Sequence, residues 1–316
     1  MSVRSFFRTN PPDVAIEIGH AHVGGARLTW RGSQAVVAQH AQEELPAGAV
    51  VPTLGSLNMA DVPLVAKVVG RVLGDLGRPA RVGLVVPDTV SKVSLLRLEQ
   101  VPSKAADLHG IVRWQMRKSA PFPIEQAVLS LSPGTTAPDG SCEMVVSLAR
   151  ADVIAQYEQA CLMAGAQAGL VEIASFSVIN SVLAAPGGAL GDWLLVHATD
   201  TYLTLAVMRD RSLLFFRHRG EEADGLLADL IHQTAMYYED RLHGSGFSRV
   251  LIAGGARLPG GADSVRRGLE DRLGKGVESV DPRQAAALVD RIGASPQLLD
   301  VLAPLVGMLL REGRMA

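Results

Sequence analysis

The order of elements in this chain is written twice, and that repetition constrains the fold more than any single motif. In the first copy, VAIEIG (14–19), GARLTWR (25–31) and QAVVAQHA (34–41) read as three short strands separated by turns that contain glycine. A helix is predicted from about Asp61 to Leu76, with Val65, Val68, Val69, Val72 and Leu73 on one face. The buried-type strand ARVGLVVP (80–87) follows. In the second copy, DWLLVHA (192–198), TYLTLAVMR (201–209) and RSLLFFRHR (211–219) are again three strands with tight turns. A helix from about Glu221 to Leu242 comes next, with Leu226, Leu227, Leu230, Ile231, Thr234, Tyr237, Tyr238 and Arg241 at helical spacing. Strand RVLIAGG (249–255) closes that unit, and GGADSVRRGLEDRLG (260–274) supplies one more helix. An antiparallel meander leading into a helical crossover, made twice, predicts a duplicated two-lobed α/β fold.

Residues 79–168 do not follow the repeat. They offer strands near Ser91–Arg97, Ala127–Ser132 and Glu143–Leu148 and helices near Ser103–Lys118 and Ala151–Ala164. SPGTTAPDGS (132–141) is a hairpin loop of turn residues. The segment is expected to be an inserted α+β subdomain of the first lobe. The expected division is a flexible tail at 1–12, a first lobe from 13–78 and 169–190, the insertion at 79–168, and a second lobe at 191–316.

A chain of 316 residues with 48% hydrophobic and 20% charged side chains can bury cores of this size, built from Val, Leu, Ile and Ala because only 4% is aromatic. A formal charge of −2 gives no bulk attraction to nucleic acid or anionic lipid. Cys142 and Cys161 lack metal-site spacing and read as reduced structural thiols. No signal peptide is legible at the start, and the most apolar stretch, Val301–Leu310, is interrupted by Pro304 and Gly307. The tail SVRSFFRT (2–9) is either a flexible leader or a short docking segment for a membrane or partner. HExxH, Walker A, GxSxG and Rossmann glycine patterns are missing from the sequence.

Three further stretches carry a family resemblance. RWQMRKSAPFPIEQAVLSLSP (113–133), HQTAMYYEDRL (232–242) and VLIAGGARLPGG (250–261) occur in the order found in the PilM family of type IV pilus assembly proteins. That family is related to FtsA within the superfamily of actin, heat-shock chaperones and sugar kinases. The similarity runs from about residue 12 to 312, through the ending APLVGMLLR. It implies an actin-like duplicated fold and three loops that close on a nucleotide. The first loop of the family runs roughly Asp-Ile-Gly-Ser-Ser-Ser-Val-Lys; here Glu17-Ile18-Gly19-His20-Ala21-His22-Val23-Gly24 stands in its place. The second, Asp-x-Gly, is His197-Ala198-Thr199, so an acid is lost and a β-branched residue replaces the glycine that admits a phosphate. The third, Ala253-Gly254-Gly255-Ala256, keeps two glycines. These departures argue against hydrolysis and leave binding of ATP or ADP with Mg²⁺ open.

His20 and His22 alternate by two, and the fold brings His197 near them, which raises a three-imidazole Zn²⁺ site as an alternative to solvated histidines. The resemblance also implies a cytoplasmic scaffold that works at the inner membrane through partners. Its partner is the N-terminal cytoplasmic tail of a PilN-like inner-membrane protein, held in a groove between the first lobe and the insertion. That groove is expected near Val82, Leu84 and Val86 and near Trp114, Pro121, Phe122 and Pro123. An active ATPase, an FtsA-like filament protein and a type II secretion assembly protein are the competing readings.

Overall fold

The computed structural model describes residues 12–187, 190–220, 226–256, 258, 260–290 and 292–311, with backbone alone for 226–229. The SVRSFFRT segment and the start of the predicted 221–242 helix lie outside the described residues.

The first lobe begins with a meander of β1 (Val14–Ile18), β2 (His22–Arg31) and β3 (Gln34–Glu44). Helix α1 (Val62–Asp75) follows. Asp61 caps it by accepting the Leu64 amide at 3.0 Å, and a proline sits in its first turn. The helix returns the chain to β4 (Arg81–Val86), parallel to β1. The insertion consists of β5 (Ser91–Leu98), α2 (Ala105–Met116), β6 (Ala127–Thr136) and β7 (Cys142–Arg150). Its strands form a separate antiparallel sheet in the order β5-β7-β6. Then α3 (Ala151–Met163), β8 (Gln167–Ile173) and α4 (Ala174–Ala184) complete the crossover, with β8 parallel to β4.

The second lobe repeats the plan. Its meander is β9 (Asp192–Ala198), β10 (Tyr202–Arg209) and β11 (Ser212–Gly220). Helix α5 (Leu226–Leu242), β12 (Arg249–Gly254), α6 (Gly261–Leu273) and β13 (Val277–Ser279) follow. The sheet order is β11-β10-β9-β12-β13, which matches β3-β2-β1-β4-β8 strand for strand.

Two boundaries differ from the sequence reading. First, β14 (Ala287–Leu288) pairs with β3, and α7 (Pro296–Leu310) packs on β1, β2, β4 and α4. Residues 287–310 therefore belong to the first lobe, where Leu302, Leu305, Val306 and Leu309 pack on the apolar sheet face formed by Ala15, Ala26, Leu28, Val37 and Val85. Second, β4 and α3 belong to the first lobe, since β4 lies between β1 and β8 and α3 packs against α1. The separate unit is thus narrower than 79–168 and runs from β5 to β7.

Alternation along β1 and β4 sends Val14, Ile16, Ile18, Val82, Leu84 and Val86 under α1 and α3, and Ala15 and Val85 under α7. Gly307 lets α7 approach α4 closely: a Cβ there would fall 1.6 Å from the Ser177 carbonyl oxygen. On α5, Leu230, Ile231, Thr234 and Tyr238 are buried as the spacing predicts, while Tyr237 is outside and packs its ring on Phe215 at 5.1 Å. Cys142 and Cys161 are free and buried, and burial pushes the Cys161 thiol up to about 12.

Candidate functional site

Two concavities compete for function. The first is the cleft between the lobes, where the chain leaves β1, β9 and β12. Of the sequence candidates, Glu17, His22, His197, Ala198, Thr199, Gly254, Gly255 and Ala256 line it, together with Asp200, Gln297 and Asp300. Its volume is about 80 Å³. That is room for a few waters, well below the roughly 300 Å³ at which small-molecule sites begin.

Several loop amides at the cleft are already engaged. Gly19 donates to the His22 carbonyl at 3.0 Å, closing the first turn. Thr199 donates to the Tyr202 carbonyl at 2.9 Å, while its Oγ1 accepts the amides of Thr201 and Tyr202 at 3.3 and 3.0 Å. In the third loop, Gly254 and Ala256 donate to Asp300 Oδ1 and Oδ2 at 3.2 and 3.0 Å. Gly254 has φ +74°, and a Cβ there would meet the Ala198 carbonyl oxygen at 2.2 Å. Its smallness thus serves the close approach of β9 and β12 as much as any ligand.

No lysine or arginine occurs among the described lining residues, which include three carboxylates. The described lining thus offers a phosphate no cationic side chain. The triple-imidazole arrangement is not assembled either. His20 Nδ1 lies 3.6 Å from Asp200, outside the lining, and His197 Nδ1 faces Ser175 Oγ at 2.8 Å. Among the described residues no three His, Cys, Asp or Glu side chains are close enough to hold a metal.

Beneath the cleft lies a buried polar network that sequence reasoning missed. Asp88, fully buried after β4, accepts the Ser175 amide at 2.9 Å, the Ser175 hydroxyl, and the Thr204 hydroxyl at 2.6 Å. With its one proton given to Asp88, Ser175 Oγ accepts from His197 Nδ1–H, which fixes the imidazole tautomer. Burial holds the His197 pKa below the ordinary histidine value, and the Asp88 charge opposes that shift. Asp88 and Ser175 come from the first lobe, His197 and Thr204 from the second, so the network joins the lobes. It contains the residue types of a Ser-His-Asp triad but not its wiring. The carboxylate bonds the hydroxyl rather than the imidazole, and Asp88, Ser175 and Thr204 are sealed from solvent beneath His197.

The second concavity is a groove of about 230 Å³ between β8 and the inserted sheet. Residues of alternate parity on β6 and β7 line it: Val128, Ser130 and Ser132, with Val145, Ser147 and Ala149. Leu170, Ile173 and Phe176 form the opposite wall, and Glu172 and Arg311 mark one end. There it continues into a space of about 290 Å³ reaching Met208, Arg211 and Leu213 of the second lobe. Glu172 accepts from Ser177 Oγ at 2.8 Å and Asn180 Nδ2 at 3.0 Å, with Arg311 at 3.6 Å. Burial raises its pKa, against the pull of the Arg311 charge and these hydrogen bonds.

Of the expected groove residues, only Val86 lines this space. Val82 and Leu84 are wholly buried under α1 and α3. Trp114, Pro121, Phe122 and Pro123 are absent from the lining, because α2 covers the other face of the inserted sheet through Val112 and Met116 against Met144, Val146 and Leu148. The Pro-Phe-Pro bend has a structural duty there: Arg113 on α2 donates to the Ile124 carbonyl just beyond it at 2.5 Å.

No family model matches the chain, and no curated protein matches it. Among solved structures, a chain of the PilM–PilN type IV pilus biogenesis complex superposes with a TM-score of 0.78 at 17% identity, covering 96% of this chain and 99% of that one. The fold is actin-like and two-lobed. A Bacteroides thetaiotaomicron protein with an actin-like ATPase fold and unknown function gives 0.47 at 8% identity, over 92% and 95% of the two chains. The cytoplasmic domain of EpsL, an inner membrane component of the Vibrio cholerae type II secretion system, gives 0.44 at 9%, over 76% and 80%.

Proposed function

We propose that this protein is a scaffold of a type IV pilus assembly machine. It captures the cytoplasmic N-terminal tail of a PilN-like inner-membrane protein in the groove between β8 and the inserted sheet. The observation that carries the reading is the groove itself, an open slot walled by Val128, Val145, Leu170, Ile173 and Phe176 and lined with serine hydroxyls. An extended peptide suits such a slot: its side chains enter apolar pockets while its backbone meets the hydroxyls. The likeness in fold to a chain of the PilM–PilN complex supports this choice over other peptides.

Among the described residues no helix is long and apolar enough to cross a membrane. The partner tail then supplies the attachment, so the protein works in the cytoplasm at the inner-membrane face. Calorimetric titration with synthetic N-terminal tails of PilN-like proteins tests the reading. Binding on the order of micromolar is expected for a short segment that orders as it binds, equal with and without MgATP. Failure of every tail to bind would end it.

A further inference from the structure

We propose that Asp300 is a resident anion that takes the place of a ligand phosphate, so that the protein closes its own inter-lobe cleft. Backbone amides in a turn give an oxyanion fixed dipoles without a cation. Here those donors, Gly254 and Ala256, divide between the two oxygens of one carboxylate at 3.2 and 3.0 Å. The carboxylate comes from α7, which packs on the first lobe, whereas the amides belong to the second. The contact is therefore also a latch, and it spans the lobes where a bound nucleotide would otherwise join them.

Two features agree with this assignment. Asp300 is the one charged side chain in α7, and it stands on the half-buried N-terminal turns that face the cleft, just before the buried run 301–310. The cleft also presents Glu17 and Asp200 with no described lysine or arginine in its lining, a field that opposes an entering phosphate. Phosphorylated ligands thus meet occupied donors and like charge together.

The test compares wild type, Asp300→Ala and Asp300→Asn by calorimetric titration with MgADP and with inorganic phosphate. Wild type is expected to bind neither at millimolar concentration. Asp300→Ala frees both amides and removes one repelling charge, and should gain at least tenfold in affinity for inorganic phosphate, which a cleft of about 80 Å³ can admit. Asp300→Asn, which keeps one acceptor oxygen, should gain less. Wild type binding phosphate as tightly as Asp300→Ala would overturn the proposal, as would a folded Asp300→Ala with no gain. Should neither variant fold, amide exchange on the wild type decides. Protected Gly254 and Ala256 amides that stay unchanged in phosphate support the latch, and amides that exchange freely or respond to phosphate refute it.

Discussion

The inter-lobe cleft and the groove beside the inserted sheet are built from the same kinds of element, yet they have opposite chemistry. In the cleft, the named donors and acceptors are satisfied from within, by Asp300 at the third loop and by Asp88 beneath the second. In the groove, Val128 is 48% exposed, and Ser130 and Ser132 stand on β6, which has no described strand on its outer side in the sheet order. A site that completes its own hydrogen bonds is a joint, whereas one that leaves apolar surface and a sheet edge open is a socket. Under the proposed function, the place where this fold is expected to take a ligand and the place that takes one do not coincide.

Helix α7 serves both places, since it carries Asp300 into the cleft and leads to Arg311 at the groove. The largest effect is therefore expected from Gly307→Val, which drives a side chain into the Ser177 carbonyl. A loss above about 4 kcal/mol, or no folded protein at all, should appear in urea denaturation, and both sites should fail together. Next, Val145→Glu puts an acid on the groove wall. It should weaken tail binding at least ~100-fold, about 2.7 kcal/mol, while the melting temperature stays near that of wild type. Retained binding would move the socket elsewhere.

Thr204→Val removes one hydroxyl from the buried Asp88 carboxylate and should cost about 1.5–3 kcal/mol of stability, with tail affinity unchanged. Equal loss of tail binding would show that joint and socket are coupled. A smaller effect concerns pH. Because His197 is held neutral by burial, the unfolded chain takes up a proton before the folded one does. Stability is complete above the ordinary value of 6.5 and falls as pH drops below it, with a slope of at most about 1.4 kcal/mol per pH unit for one group. His218 is shifted the same way, chiefly by burial, so His197→Gln should flatten the slope only in part. The smallest effect is expected at Trp114, 74% exposed on the far side of the inserted sheet. Its replacement by alanine should change stability by less than about 0.5 kcal/mol and leave tail binding intact.

The doubled order of strands and helix was legible because period-two and period-3.6 patterns are local, and glycine marks the turns of both meanders. The three loops at the cleft came from the family resemblance rather than from periodicity, and Glu17, His197 and Gly254 line one concavity. The latches were harder to see. Asp88 and Thr204 are 116 residues apart, and nothing local in PDTV or YLTL announces their partner. Asp300 did leave a trace, as a lone acid within LLDVLAPLVGMLL. Of the residues expected to form the groove, Val86 alone lines the open slot beside the inserted sheet. Trp114 and the Pro-Phe-Pro bend attract attention by their chemistry, yet strand alternation decides which face of β7 looks into the slot, and it selects Val145 and Ser147.

The return of the chain to its starting lobe has a consequence for biosynthesis. Among the described residues, α7 (296–310) supplies most of the cover on the second face of the sheet that contains β1, beside a smaller share from α4. A ribosome emits the N-terminal strands first, at roughly 5–20 residues per second, and they must wait with much of that apolar face bare until the second lobe has passed through. Nascent chains arrested before residue 296 are therefore expected to be protease-sensitive and to recruit chaperones, and to become resistant once α7 has cleared the exit tunnel.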